Sequence, residues 1–345
     1  MKAAVCERYG PPGNVVELRE VDKPEPTGDQ ILLRVHAASV NRADLDGLGP
    51  RPQMIRLFVG LRAPRNQRMG IDVAGVVEAT GPNAVGFKAG ARAYGDLFAF
   101  GAGAFAEYAC VPEKALRLIP DTMTFEDAAT LPHSSVLAVQ GLRRRDGTTP
   151  KAGDKVLIDG ASGNVGPFAV QLAKALGAEV TGVCSPGKMD FVRSLGADNV
   201  IDYTTTDYTK ERERYDWIVD TDSHHGILAV RRALAPNGVY VTLGGTTWPI
   251  VRSLIAGPLI SRFSDRWSGL LLWWKPFNLV DIAHIEELIA AGLVKPRIDR
   301  TYPLEQAVDA LRQVDEGRAN GKVVITMQDP LRPRPPIRAE VPSSA

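Results

Sequence analysis

The segment 155–203, KVLIDGASGNVGPFAVQLAKALGAEVTGVCSPGKMDFVRSLGADNVIDY, constrains the fold more than any other stretch, because it carries every part of one βαβ unit in order. An apolar strand over 156–158 runs into a glycine turn, and a helix follows at once. The spacing Gly160-x-x-Gly163-x-x-Gly166 permits a tight turn, close approach of backbone N–H groups to a pyrophosphate, and close packing of helix on strand. The expected cradle for a dinucleotide is therefore Gly160, Ser162, Gly163, Asn164, Val165 and Gly166. A second strand, 179–183, ends about 20 residues after the glycines, where an NAD site places an acid on the ribose 2′-hydroxyl. Cys184 and Ser185 stand there instead, with Lys188 close behind. A hydroxyl and an ammonium suit a 2′-phosphate, so NADPH is the expected cofactor.

Strand and helix alternate through the rest of this half, with strands at 217–219 and 239–243 and a helical run at 228–234 between them. That alternation predicts a parallel, doubly wound sheet over residues 123–275. Residues 1–122 read differently: short β-like runs such as ILLRVHAASV, VAGVVEATG and AFAEYACV are broken by Gly and Pro, which predicts a compact β domain. Helical spacing returns at 280–291 and 303–314, ahead of a terminal strand at 322–326. The tail 329–345 has five prolines and almost no core-forming residues, and disorder is expected there.

Composition excludes several classes. The 41 basic and 40 acidic residues nearly cancel, so no electrostatic footprint for nucleic acid or a membrane surface arises. Three cysteines, Cys6, Cys110 and Cys184, are too few and too scattered for a disulfide framework or a metal knuckle. No apolar run follows the N-terminal lysine, and the longest such run, 270–274, is far below the roughly 20 residues of a membrane span. A cytoplasmic protein is expected.

The blocks AASVNRAD (37–44), MGIDVAGVVEATG (69–81), VGFKAGARAYG (85–95), AATLP (128–132), the glycine turn, VRSLGADNVIDY (192–203), YVTLGG (240–245) and NGKVVI (320–325) resemble the medium-chain dehydrogenase/reductase superfamily, specifically its zinc-independent, quinone-oxidoreductase-like and enoyl reductase branch. The resemblance covers about residues 1–327. It implies a GroES-like β-barrel catalytic domain, a Rossmann domain, a returning segment (276–328) that rejoins the barrel, and an active site in the cleft. Zinc-dependent relatives carry ligands at the positions of Asn41 and Ile71 and near His133. Only the histidine could coordinate, whereas a catalytic zinc needs about three protein ligands, so no metal is expected.

The same resemblance assigns roles to single residues. Asn41 matches the asparagine that faces the nicotinamide. Asp46 stands where quinone reductases often carry a tyrosine, and His133 replaces a usually apolar residue; both are candidate proton donors. Asp44 reads as a local backbone cap. Leu137 takes the place of a threonine that bonds the nicotinamide amide. Ser185, Lys188 and Tyr203 match the grip on the 2′-phosphate, Leu243, Gly244 and Gly245 border the nicotinamide, and Asn320 and Lys322 close over it. The segments 54–64 and 248–274 are apolar with interspersed arginines, as a cap over a hydrophobic substrate or a dimer interface would be. His224 and His225 read as a surface turn. The expected activity is NADPH-dependent reduction of a C=C bond conjugated to a carbonyl in a small hydrophobic substrate, by a homodimer. A zinc-free carbonyl or alcohol oxidoreductase and a non-catalytic NADPH-binding protein are the alternatives.

Overall fold

The computed structural model describes residues 1–49, 56–212, 214–244, 266–270 and 275–327. Its centre is a six-stranded, all-parallel sheet. The strands are β8 (Lys155–Asp159), β9 (Glu179–Cys184), β10 (Asn199–Asp202), β11 (Tyr215–Asp220), β12 (Leu234–Thr242) and β13 (Trp267–Leu270), in the order β10-β9-β8-β11-β12-β13. The order reverses direction between β8 and β11, and open parallel sheets bind ligands outside the strand carboxyl ends at such a point. The helix Gly166–Ala175 follows β8 and buries Phe168, Ala169, Val170, Leu172 and Ala173 against the sheet. Each large side chain so covered contributes about 1.5–3 kcal/mol.

A second sheet is built around β3 (Gln30–Val40), which pairs antiparallel with β4 (Asp72–Thr80), β6 (Tyr108–Pro112) and β15 (Lys322–Thr326). β14 (Ile298–Pro303), β5 (Arg92–Asp96) and β7 (Leu116–Leu118) complete the order β14-β15-β3-β4-β5-β7. This is the β unit expected of the first part of the chain, and the last described strand lies beside its longest one. A small ribbon, β1 (Lys2–Cys6) with β2 (Val16–Glu20), stands apart.

Expected strands and helices fall within a few residues of the observed ones, with informative exceptions. The helical spacing over 303–314 is only partly realised: Pro303 ends β14, residues 304–306 make a single 3-10 turn, and the helix proper is Ala307–Asp315. Proline donates no backbone hydrogen and closes a ladder more readily than it continues one. The run 104–111 contributes its strand only from Tyr108, and Leu234 opens β12 rather than closing a helix. Residues 50–55 and 245–265, with 271–274 and the expected disordered tail, lie outside the described residues, and with them most of the apolar segment 248–274 and the first two residues of 54–64. Among the described residues no helix is long and apolar enough to cross a membrane.

One helix, Leu279–Ala290, fixes the two halves to each other. Its start is capped by Asn278, whose side chain accepts from the backbone of Val280 and Asp281. Asp281 is buried and accepts from Gln140 Nε2 at 2.7 Å and from Arg143 Nη1 and Nη2 at 2.6 and 3.0 Å, all on the cofactor-sheet side. One turn on, Glu286 accepts from Tyr94 Oη at 2.6 Å and from the Arg117 guanidinium at 2.7 Å, both on the barrel. Removing one partner of a buried ion pair leaves the rest desolvated and unmatched. Asp281→Ala should therefore lower the unfolding free energy in denaturant titrations by about 3 kcal/mol, while Glu287→Ala, on the solvent side of the same helix, should change it by less than about 0.5 kcal/mol.

Candidate active site

The glycine turn has the shape that a pyrophosphate requires. Gly160 has φ +78, and a Cβ on it would lie 2.3 Å from Thr221 Oγ1. A Cβ on Gly166 would lie 2.3 Å from the Gly160 carbonyl oxygen and 2.5 Å from the Ala161 carbonyl carbon, atoms of the backbone that cannot move aside. Gly163 differs: its Cβ would meet only the Gly160 oxygen, at 3.4 Å. The outer two glycines are thus demanded by packing, and the middle one leaves an open backbone surface for a ligand. That division is what a dinucleotide cradle needs.

The cradle is held to the barrel from above. Asn164 Nδ2 donates to the Val40 carbonyl at 2.9 Å, and the Gly321 backbone donates to the Ser162 carbonyl at 3.0 Å. Asn320 stands beside these contacts with its Oδ1 buried and without a partner. An orphaned buried acceptor is costly unless a ligand supplies a donor, and a nucleotide's amide or hydroxyl would do so.

Ser185 and Tyr203 lie at the carboxyl ends of β9 and β10, brought together by the Tyr203 N–H on the Cys184 carbonyl at 3.3 Å. Tyr203 is exposed and Ser185 half-buried. Lys188 is half-buried, and its Nζ donates to the Ala319 carbonyl. Burial holds its pKa below the usual lysine value. Leu243 donates its N–H to the Asp220 carbonyl and packs toward Gly141; the Gly244 carbonyl accepts from Ser223 N. Gly245 lies outside the described residues.

Opposite the cradle, residues distant in the chain meet in a buried polar cluster. Asn41, between β3 and the helix Arg42–Leu48, gives Nδ2 to Asp72 Oδ2 at 2.8 Å, and its Oδ1 accepts from Lys322 Nζ at 2.7 Å and Ser134 Oγ at 3.1 Å. Asp44 reaches back to accept the Asn41 N–H at 2.8 Å, the cap expected of it. Lys322 Nζ also donates to Ser134 Oγ at 3.0 Å and lies 3.5 Å from Asp72 Oδ2, to which Ser39 Oγ donates as well. Burial raises the Asp72 carboxyl, offset by the Lys322 charge, and lowers Lys322; burial also pushes Asp44 up to about 7. His133, at the start of the helix Pro132–Gly141, donates its backbone N–H to Asp72 Oδ1 at 3.1 Å, and its Nδ1 lies 3.1 Å from Asp96 Oδ2.

The structure therefore brings Asn41, His133 and Lys322 into one cluster, facing the cradle. Asp46 is not part of it: its side chain is exposed on the helix surface, 3.4 Å from Arg42 Nε. His224, also exposed, lies 3.3 Å from Asp222. Among the described residues no group of three or more His, Cys, Asp or Glu is arranged to hold a metal ion.

Two sets of residues escaped the sequence reading. Asp72, Asp96 and Ser134 complete the cluster, and for the two acids a signal was available, since each stands beside apolar strand residues, where a buried carboxylate is costly without a partner. Under the cradle, Asp159 and Asp220 end neighbouring strands in register. Tyr240 Oη donates to Asp220 Oδ2 at 2.9 Å. Burial pushes Asp220 up to about 6, and burial together with the Asp220 charge raises Asp159 well above the carboxylate range.

These raised acids make stability pH-dependent. Because the folded pKa exceeds the unfolded one, the native protein binds more protons than the unfolded chain in this range. The contribution is intact below the unfolded value and is lost as pH rises through the folded one. Relative to Asp220→Asn, the unmutated protein should lose roughly 2 kcal/mol of stability between about pH 4.5 and about pH 7.5. Denaturant titrations across that range measure it, and parallel curves for the two proteins would refute the shift.

Comparison with known proteins agrees with this architecture. Residues 27–121 match the family model of the alcohol dehydrogenase GroES-like domain, and residues 195–325 match that of the zinc-binding dehydrogenases. The chain is 32% identical over 334 residues to the chloroplast envelope quinone oxidoreductase homolog of Arabidopsis thaliana, covering 94% of this chain and 98% of that one. It is 31% identical over 335 residues to the 2-methylene-furan-3-one reductase of Solanum lycopersicum, covering 94% and 79%. The solved quinone oxidoreductase of Coxiella burnetii superposes with a TM-score of 0.81 at 28% identity, over 95% of this chain and 99% of that one.

Proposed function

Because the chain belongs to the medium-chain dehydrogenase/reductase superfamily, in its quinone-oxidoreductase-like branch, as an NAD(P)H-dependent oxidoreductase, we propose that it uses NADPH to reduce a C=C bond conjugated to a carbonyl, without a metal. The observation that carries this reading is the chemistry at the three positions where zinc relatives hold their ligands. Asn41 has its amide oxygen engaged by Lys322 and Ser134, Ile71 is a buried hydrocarbon, and His133 alone is an imidazole. One ligand does not hold a catalytic zinc.

Without a Lewis acid, direct ketone reduction lacks strong stabilisation for an alkoxide. A conjugated double bond asks for less. The bound nicotinamide supplies a hydride to the β-carbon, and the charge spreads into an enolate that ordinary hydrogen-bond donors stabilise. This chain's own part is to fix substrate and cofactor on the two faces of the cleft and to keep the donors of the Asn41 cluster ordered before the substrate arrives. The relatives' names, a quinone oxidoreductase homolog and a methylene-furanone reductase, support the same substrate class.

NADPH over NADH rests on the end of β9, where Cys184 and Ser185 offer no acid and Lys188 offers a cation. On binding, the Lys188 ammonium exchanges the Ala319 carbonyl for a phosphate, a stronger charge-assisted partner. NADPH should bind at least about tenfold tighter than NADH, and Lys188→Ala should erase most of that difference in calorimetric titration. Equal affinities in the unmutated protein would sink the assignment.

Deuterium from 4-labelled NADPH should appear at the β-carbon of a reduced enone. Asn41→Ala, which removes the amide that Lys322, Ser134 and Asp72 share, should lower turnover by about 100-fold, the scale for a misplaced reacting geometry. Label on a carbinol carbon would replace this reading by carbonyl reduction.

A further inference from the structure

The reduction proposed above leaves an enolate that must gain a proton, and we propose that the Asp96–His133 pair supplies it, with His133 as the catalytic acid and Asp96 as the residue that positions it. This inference rests on the conjugated-reduction reading and adds to it the proton source.

Asp96 ends β5 and is 1% exposed, and each of its oxygens is spoken for. Oδ1 accepts the Phe98 backbone N–H at 2.7 Å, and Oδ2 faces His133 Nδ1 at 3.1 Å. A carboxylate fixed in this way accepts from Nδ1–H, so it keeps the hydrogen on Nδ1 and assigns proton gain and loss to Nε2. The ring is held from a second side through its own backbone, which donates to Asp72 Oδ1 while Asn41 donates to Oδ2 of the same carboxylate. His133 and Asn41 thus share one rigid support. Phe98 packs against the imidazole at 5.4 Å between ring centres and is itself 46% exposed, an apolar rim beside a nearly buried acid.

The other protic groups of the cluster bond one another. Lys322 divides its ammonium between Asn41, Ser134 and Asp72; the Ser134 hydroxyl donates to Asn41; Asp44 accepts the Asn41 N–H. The charges that act on the imidazole are Asp96 from β5, Asp72 from β4 and Asp44 from the helix Arg42–Leu48, with Lys322 of β15 behind Asp72.

The step balances. As the hydride reaches the β-carbon, the π pair of the double bond moves toward the carbonyl oxygen. The Nε2–H bond then breaks, its electron pair stays on nitrogen, and the proton joins the α-carbon through the enolate pair. Imidazolium becomes neutral imidazole, which solvent reprotonates. The substrate has gained two electrons and two hydrogens, and the nicotinamide has lost a hydride.

The test uses the full chain with NADPH and 2-methyl-2-cyclohexenone in deuterated water. The unmutated protein should place deuterium on one face of the α-carbon. His133→Gln and Asp96→Asn should each lower kcat by about 100-fold with KM within about twofold, flatten the basic limb of the kcat profile, and let deuterium enter from both faces, while label from 4-deuterated NADPH still arrives at the β-carbon. Unchanged turnover and facial preference in His133→Gln would overturn the proposal. Label at the carbinol carbon of the unmutated protein's product would instead overturn the conjugated-reduction reading. A measurement on the cofactor-free, unmutated protein stands whether or not the variants fold. Nitrogen-15 spectra of labelled histidine should show the neutral His133 ring with its hydrogen on Nδ1, and the opposite tautomer would refute the pair.

Discussion

Lys322 keeps an ammonium at 1% exposure, and the site is organised around satisfying it. An unpaired charge at that depth would cost several kcal/mol or would shed its proton. Its partners come from three places in the chain, Asn41 after β3, Asp72 at the start of β4 and Ser134 in the helix Pro132–Gly141, while Lys322 itself stands on β15, reached only after the chain has completed the cofactor sheet. The contacts to Asn41 and Asp72 form within the barrel sheet, where β15, β3 and β4 lie side by side, and the contact to Ser134 adds the helix Pro132–Gly141. The cluster ties the returning strand to the barrel and to that helix, in the arrangement that leaves the buried ammonium matched. The same saturation fixes the Asn41 side chain, so the groups nearest the chemistry are ordered before any ligand arrives.

The sequence made the cofactor half legible because its constraints are local. The glycine spacing, the helix behind it and the strand 179–183 lie within one continuous segment, and the structure needs Gly160 and Gly166 there for reasons of backbone packing. The catalytic half was legible only through likeness to other proteins. Asn41, Asp72, His133, Ser134 and Lys322 are separated by up to 281 residues, and no periodicity or spacing predicts their meeting. Asp46 illustrates the same limit. It is two residues from Asp44 and of the same type, yet Asp44 is buried on the Asn41 N–H and Asp46 faces solvent with Arg42. Which side of a seven-residue helix faces inward is decided by what it docks against.

Among the described residues, polar contacts of two kinds join the halves across the cleft. The helix Leu279–Ala290 carries partly buried ion pairs to both halves, which set their relative placement. The contacts at the cradle are single hydrogen bonds, from Asn164 to Val40, Gly321 to Ser162 and Lys188 to Ala319. Each contributes about 1 kcal/mol net, small enough for a bound nucleotide to replace. Stiffness is concentrated away from the ligand, and exchangeable bonds are concentrated where the ligand must enter.

The acids beneath the cradle bear on the same question of charge. A pyrophosphate resting on the turn would lie above Asp159 and Asp220, and two ionised carboxylates there would oppose it. At a separation of about 8 Å and an effective dielectric of about 20, one like-charge pair costs on the order of 2 kcal/mol. Burial already disfavours the ionised forms, and the Asp220 charge raises Asp159 further, so both acids hold their protons to higher pH than free carboxyls. The burial that weakens the fold toward high pH is then what keeps this floor compatible with an anion. Stability and cofactor affinity are then tied to the protonation of these two acids, and both decline as the protons leave.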